Sequence, residues 1–339
     1  MTSRGPSAIA GAPGTALLLD WLDQMPHPSV AIEISAGGVA AVRGARRRMA
    51  LEAHAFEPLA AGAVTPSPVE PNIMDAAAVR AAVRHVLERV NGHSAELAVV
   101  VPDQVVRVFL LQFDEFPRRS EEAIPLLRWR LKKSVPFDVE ETVVSYMVQS
   151  AGPSGARSRE GAAGAGAKVV DVLAAVARQR IIRQYEELLE AAGRSPGVVL
   201  SSTLAALPLV EDSRPSLLAR LAGRTLTTVI VRRGVLAVYR CSEMSVGADA
   251  MVPQSVLDEI YPAAAYYQDT WGEAVQQVRL AGFGGRYEEF RDAVEHELGC
   301  SASPLLASGA LEERLTGDAR ALVDRQFDAL VGWMAHREG

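Results

Sequence analysis

Aromatic side chains make up only 6% of the 339 residues. Val, Ile, Leu and Ala must therefore fill any core that the chain builds. Cysteine is almost missing. Cys241 and Cys300 stand alone without metal-ligand spacing, which rules out a disulfide framework, suits a reducing compartment and leaves one single bridge open. No run of about 18 apolar residues occurs, so no segment is expected to span a bilayer. The first apolar stretch, "ALLLDWLDQ", is broken by Asp20 and Asp23 and does not read as a signal peptide. The six histidines show no i, i+4 pair and no HExxH, so no metal site is expected. A G-x-S-x-G elbow and a P-loop are also missing. There is no basic surplus either. The net charge of −6 argues against nucleic acid as a partner, because that binding is driven by phosphate neutralisation.

Hydrophobic residues reach 49% and charged ones 22%, and the length allows two core-bearing units. Residues 1–15 are rich in Gly, Pro, Ala and Ser and read as a tail, followed by a short amphipathic helix over 16–24. "VAIEISAGGVAAV" (30–42) reads as a hairpin turning at Ser35-Ala36-Gly37-Gly38. Residues 75–90 read as a helix capped by Asp75, with Val79, Val83, Val86, Leu87 and Val90 at helical spacing. "LAVVVP" is a buried strand and "VVRVFLLQF" its neighbour. "SEEAIPLLRWRLKKSVPFD" is a helix that starts at Pro125 or kinks there. Residues 150–167 hold almost nothing that can be buried and read as a flexible excursion between two strands. Further strands are expected at 198–200, 227–231 and 236–239, and helices at 178–193, 254–269, 287–299 and 316–337. Hairpins alternate with helices twice over, which predicts a mixed α/β chain with two similar halves.

The motif order resembles one family. "VAIEISAGGVAAV" resembles the first phosphate loop of the actin-like ATPase superfamily. "VPFDVEETVVSYMV", "VIVRRGVLAVYR", "AAAYYQ" and "VRLAGFGG" follow in the order seen in PilM, the actin-like family of type IV pilus assembly, over residues 28–337. The cytoplasmic part of GspL from type II secretion is a close relative. The resemblance implies an α/β, RNase H-like, two-lobed actin-like fold. Its expected first lobe covers 28–205, with a small inserted subdomain at about 96–193. A second lobe lacking most of its clamp subdomain covers 206–315, and a C-terminal helix, 316–339, packs on the first lobe. The implied function is a non-enzymatic scaffold, peripheral to the inner membrane on its cytoplasmic side. It would bind the tail of a PilN-like membrane protein or of a partner of the GspL/GspM type, and a homo-oligomer is left open.

The nucleotide site implied by the family departs from its pattern. Candidate remnants are Glu33, Ser35, Gly37, Gly38, Gly282, Gly284 and Gly285. The family's Asp is Glu33 here, and its Lys is Ala40. No Asp or Glu lies between Asp212 and Glu243, where the second loop needs one, and Arg220 or Leu221 falls there instead. Phe283 stands where a small residue is usual. The expectation is a degraded site with no catalytic residue and no cofactor; the alternative is a switch that still binds ATP and Mg²⁺. Trp129, Arg130, Lys133 and Phe137 are candidates for binding the partner, although Trp129 and Phe137 read first as core or half-core residues. Arg43 with Arg46, Arg47 and Arg48 reads as a solvated turn, or as an attraction to an anionic membrane face.

Overall fold

The computed structural model describes residues 25–44, 51–90, 95–149, 169–210, 213–306, 322 and 327–335. The tail and helix expected before residue 25, Arg46, Arg47 and Arg48, the excursion at 150–167 and most of the C-terminal helix before 327 lie outside them.

Val30–Ser35 (β1), Gly38–Gly44 (β2) and Leu51–Pro58 (β3) form an antiparallel meander. Glu96–Val101 (β4) then runs parallel to β1. The chain leaves this sheet to build Arg107–Phe113 (β5), Thr142–Val148 (β6) and Val170–Arg178 (β7), and returns as Ser195–Ser201 (β8), parallel to β4. The first sheet has the order β3-β2-β1-β4-β8. Ser216–Ala222 (β9), Thr225–Arg232 (β10), Val235–Glu243 (β11), Gln277–Ala281 (β12) and Ser301–Pro304 (β13) repeat the plan as β11-β10-β9-β12-β13. In both sheets a three-strand meander is followed by two parallel strands. This duplicated order is the actin-like, RNase H-like arrangement.

The helices follow from their apolar spacing. Ala76–Val90 (α1) is capped by Asp75, whose carboxylate accepts from the N–H groups of Ala77 and Ala78 at 3.2 and 2.9 Å. Its buried Val79, Val83 and Val86 face Ile32, Ile34 and Val99, with Ile181 and Tyr185 of Gln179–Glu190 (α3) in the same cluster. Pro253–Trp271 (α5) and Tyr287–Leu298 (α6) cover the second sheet in the same way. Gly272 and Gly299 end them at φ 70° and 65°, a left-handed turn that glycine adopts without strain. Ser120–Leu131 (α2) covers the small sheet, whose order is β5-β7-β6. Pro125 lies inside α2 rather than starting it. Proline costs one backbone hydrogen bond there, and Ala123, Leu127 and Leu131, all buried, hold the helix down.

The structure corrects the inserted unit. β4 and α3 belong to the first lobe, and only the segment from β5 to β7 with α2 forms the separate sheet. β4 reads "ELAVVV" and is buried on both faces, as a central parallel strand must be. Strands β3, β9 and β13 were not expected at all.

The lobes share one apolar core. Ala40, Val42 and Ala98 of the first sheet pack in the same cluster as Leu218, Val229 and Leu236 of the second. Ser202–Ala206 (α4) and Asp328–Ala335 (α7) lie in this seam, with Leu204, Leu330 and Trp333 buried. A methyl group added at Gly332 of α7 would overlap the Ala205 carbonyl oxygen, so the two helices touch backbone to backbone.

Candidate functional site: a buried guanidinium between the lobes

The residues singled out for the two phosphate loops do meet, but directly. Glu33 points from β1 and Arg220 from β9, and the Glu33 carboxyl lies 3.9 Å from the Arg220 guanidinium. Arg220 is 2% exposed and Glu33 3%. The position that the resemblance assigns to lysine is Ala40, cross-strand from Glu33 and fully buried.

Two carboxylates that the sequence reading missed complete the cluster. Asp328, from the first turn of α7, takes the Arg220 fork in two hydrogen bonds: Nε donates to Oδ2 at 2.7 Å, and Nη2 to Oδ1 at 3.0 Å. Asp103 follows β4 and lies 3.7 Å from Nη1. Its oxygens accept from the Thr203 N–H at 2.8 Å, the Thr203 hydroxyl at 2.5 Å and the Thr227 hydroxyl at 2.9 Å. Arg220 Nη1 also donates to Ser202 Oγ at 2.9 Å. One guanidinium is thus shared by β1, the end of β4, α4 and α7. Fork-to-carboxylate pairing is the strongest geometry available to it.

Burial disfavours the charge on Arg220. The charge and hydrogen bonds of Asp328, with Asp103 and Glu33 beside it, outweigh burial and push its pKa above the ordinary value. Glu33 is the weak partner of the cluster. Burial raises its carboxyl to about 8, Arg220 lowers it only in part, and Asp328 and Asp103 push the same way as burial. Its Oε2 finds no hydrogen-bond partner among the described residues. Near neutral pH Glu33 therefore keeps its proton. Burial and the Asp103 charge also raise the Cys241 thiol to about 12, which leaves it without thiolate character.

The glycines serve the fold. A methyl group on Gly38 would lie 2.6 Å from both the Glu57 carbonyl oxygen and the Phe56 ring, so the hairpin glycine admits β3. Ser35 Oγ donates to the Gly38 carbonyl at 3.2 Å and closes the same turn over Gly37. A methyl group on Gly282, which has φ 86°, would collide with the Leu221 carbonyl oxygen. Gly284 and Gly285 have open space around them. Phe283 is buried and packs on Phe290 with ring centroids 4.6 Å apart. Arg286 donates to the carbonyls of Ala248, Asp249 and Met251 and binds that segment to the glycine turn. Gly282→Ala is therefore expected to lower stability by about 2–3 kcal/mol or more, through backbone overlap at a left-handed φ. Gly285→Ala should fall within about 0.5 kcal/mol of the parent. Urea denaturation of the two variants measures the contrast.

The candidates for binding a partner separate. Lys133 lines a groove of about 490 Å³ formed by Val106–Phe109, Lys133–Pro136, Tyr239 and Cys241. Three consecutive residues of β5 on that wall, Arg107 to Phe109, mean that the strand turns its edge to the groove, since one face would give alternate residues. β5 pairs only with β7 among the described strands, and β11 pairs only with β10. The open edge of β5 therefore borders the groove, with Tyr239 and Cys241 of β11 opposite it. Higher on β11, the Gln149 amide accepts from the Leu236 N–H at 2.8 Å and donates to its carbonyl at 3.1 Å, in place of a further strand. Phe137, next to the groove wall, is half-buried against the α2 cluster. Trp129 is 73% exposed, so the core reading fails for it. Trp129 and Arg130 stand on α2 outside the groove lining.

The duplicated sheets define an actin-like fold. Comparison with solved structures supports this: the chain superposes on a "PilM-PilN type IV pilus biogenesis complex" with a TM-score of 0.68 at 18% identity, covering 93% of this chain and 100% of that one. The cytoplasmic domain of EpsL, an inner-membrane component of the type II secretion system of Vibrio cholerae, aligns with a TM-score of 0.44 at 13% identity, covering 74% of this chain and 80% of that one. A Bacteroides thetaiotaomicron protein with an actin-like ATPase fold gives 0.45 at 11% identity over 89% and 97%. No family model matches the chain, and no curated protein matches it. Among the described residues, no helix is long and apolar enough to cross a membrane.

Proposed function

We infer that this chain is a non-enzymatic scaffold of the inner-membrane platform of a type IV pilus or type II secretion machine, peripheral to the membrane on its cytoplasmic side. It holds the tail of a PilN-like membrane protein. The observation that carries the non-enzymatic part is the Arg220 cluster. The residues present do not fit a magnesium nucleotide. The Arg220 guanidinium, hydrogen-bonded to Asp328 and Ser202 between the strands that the resemblance assigns to the two phosphate loops, would repel Mg²⁺. Buried carboxylates around it repel phosphate. Among the described residues no lysine pairs with the cluster in place of the one missing at Ala40, and Glu33 and Arg220 are too close to admit a phosphate between them. The cluster instead ties the lobes to α7, as a structural joint.

The fold likeness to a PilM–PilN complex supports the choice of partner. The groove along the β5 edge supports the mode, in which an extended segment adds main-chain hydrogen bonds to an open strand. Lys133 and Phe137 sit at that groove, and Lys133 favours an acidic or C-terminal group on the tail. A synthetic peptide of the membrane partner's cytoplasmic tail should bind the full chain. Val135→Trp, which fills the groove, together with Lys133→Glu should weaken it at least tenfold, about 1.4 kcal/mol. Tyr261→Ala, on the far face of α5, should leave it unchanged. Calorimetry that finds tail binding intact in the filled-groove variant would place the partner elsewhere.

A further inference from the structure

Trp129 is the most exposed large apolar side chain among the described residues. Its neighbours on the last turn of α2 are cations. Arg130, Lys132 and Lys133 are exposed, and none has an ion-pair partner among the described residues. Two of the nearby acids are paired with arginines, and a third caps a turn. Glu140 faces Arg128 at 3.8 Å, Glu141 pairs with Arg178 at 3.1 Å, and Asp138 accepts from the Glu140 N–H at 3.0 Å. Pro125 and Trp129 fall on one helix face, four residues apart, with Lys132 and Lys133 one turn further on.

Cations at a helix C-terminus complement the helix dipole, but that effect needs no tryptophan in solvent. An exposed indole beside long-stemmed cations is the composition of an interfacial anchor. The ring sits at headgroup depth while Lys and Arg extend to the phosphates. The surface is a helix face rather than a groove, so it lacks the concavity that holds a peptide. Electrostatics single out the same place. The chain carries −6 overall and is repelled by an anionic surface, so it must approach through a local unpaired positive patch.

We propose that the C-terminal turn of α2, through Trp129, Arg130 and Lys132, is a docking surface for an anionic lipid bilayer. None of the three residues takes part in the Arg220 cluster, and the proposal does not depend on the scaffold reading. Docking orients the groove relative to the bilayer, because Lys133 belongs both to this turn and to the groove wall.

The test is sedimentation of the full chain with vesicles of phosphatidylcholine alone or with 30% phosphatidylserine, in 50 mM and 300 mM NaCl. The expected result is binding to the anionic vesicles at low salt, at least tenfold stronger than to neutral ones and lost at high salt. Arg130→Glu with Lys132→Glu should abolish it, and Trp129→Ala should weaken it several-fold. All three side chains are exposed, so melting temperatures should stay those of the parent. Brominated lipids should quench fluorescence in the parent and not in Trp129→Phe, which separates this indole from the other three. Equal binding to neutral and anionic vesicles, or unchanged binding in the double charge variant, overturns the proposal. So does binding of poly-glutamate through these residues with no binding to vesicles, which would make the patch a site for acidic polypeptide. Tail binding at the groove, measured on Arg130→Glu with Lys132→Glu, reports separately on the scaffold reading.

Discussion

Arg220→Ala should lower stability by about 3–5 kcal/mol, or leave the chain unfolded at room temperature. Removing one partner of a buried ion cluster strands the other charges away from water, and that cost exceeds the net worth of the intact pairs. Here the stranded groups are Asp328 and Asp103, both 3% exposed. They come from α7 and from the end of β4, so the loss reaches both lobes. Arg220→Lys keeps the charge but not the two-pronged bond to Asp328, and should recover only part of the stability. Asp328→Asn should cost less than Arg220→Ala, because Asp103 still faces the guanidinium at 3.7 Å. Chemical denaturation followed by circular dichroism measures all three. A loss below about 1 kcal/mol in Arg220→Ala would mean that the cluster is solvated and not a joint.

Glu33→Gln should act in the opposite direction, and only above a certain pH. The Glu33 carboxyl is raised from 4.5 to about 8 in the folded chain. Between those values the native state keeps a proton that the unfolded state releases. The Glu33 contribution is therefore fully present below about pH 4.5, and is lost as pH rises through about 8. Each pH unit between the two values is worth about 1.4 kcal/mol, so the loss amounts to a few kcal/mol. The parent should become less stable from pH 5 to pH 8.5 by that amount, relative to a Glu33→Gln variant that lacks the slope. At pH 5 the two should agree within about 1 kcal/mol. Equal slopes for both proteins would show Glu33 ionised beside Arg220.

The sequence revealed the plan of the fold better than its seams. Two hairpin-and-helix halves, the capped α1 and the glycine-stopped α6 follow from local patterns. β9 did not, because "SLLARLA" is buried on both faces and carries an arginine, so it shows neither alternation nor a clean apolar run. β4 was assigned to the small subdomain because it precedes it in the chain; its all-apolar "AVVV" was the sign that it lies between two parallel strands. At the site, Glu33 and Arg220 were legible as departures from a pattern. Asp103 and Asp328 were not. One looks like a turn residue after Pro102, and the other like a solvated acid at a helix start. Only the approach of the lobes and α7 makes them partners of one cation. Trp129 went the other way: as a large aromatic it read as core or half-core, yet α2 already fills its buried face with Ala123, Leu127 and Leu131.

The central claim is that Arg220 and its carboxylates fill the place of a magnesium nucleotide. Isothermal titration of the full chain with ATP and Mg²⁺ tests it most directly. The account predicts no saturable heat up to millimolar nucleotide and no change in melting temperature. Saturable binding in the micromolar range that Glu33→Ala removes would contradict it, and would return this chain to the nucleotide-binding switches of its fold.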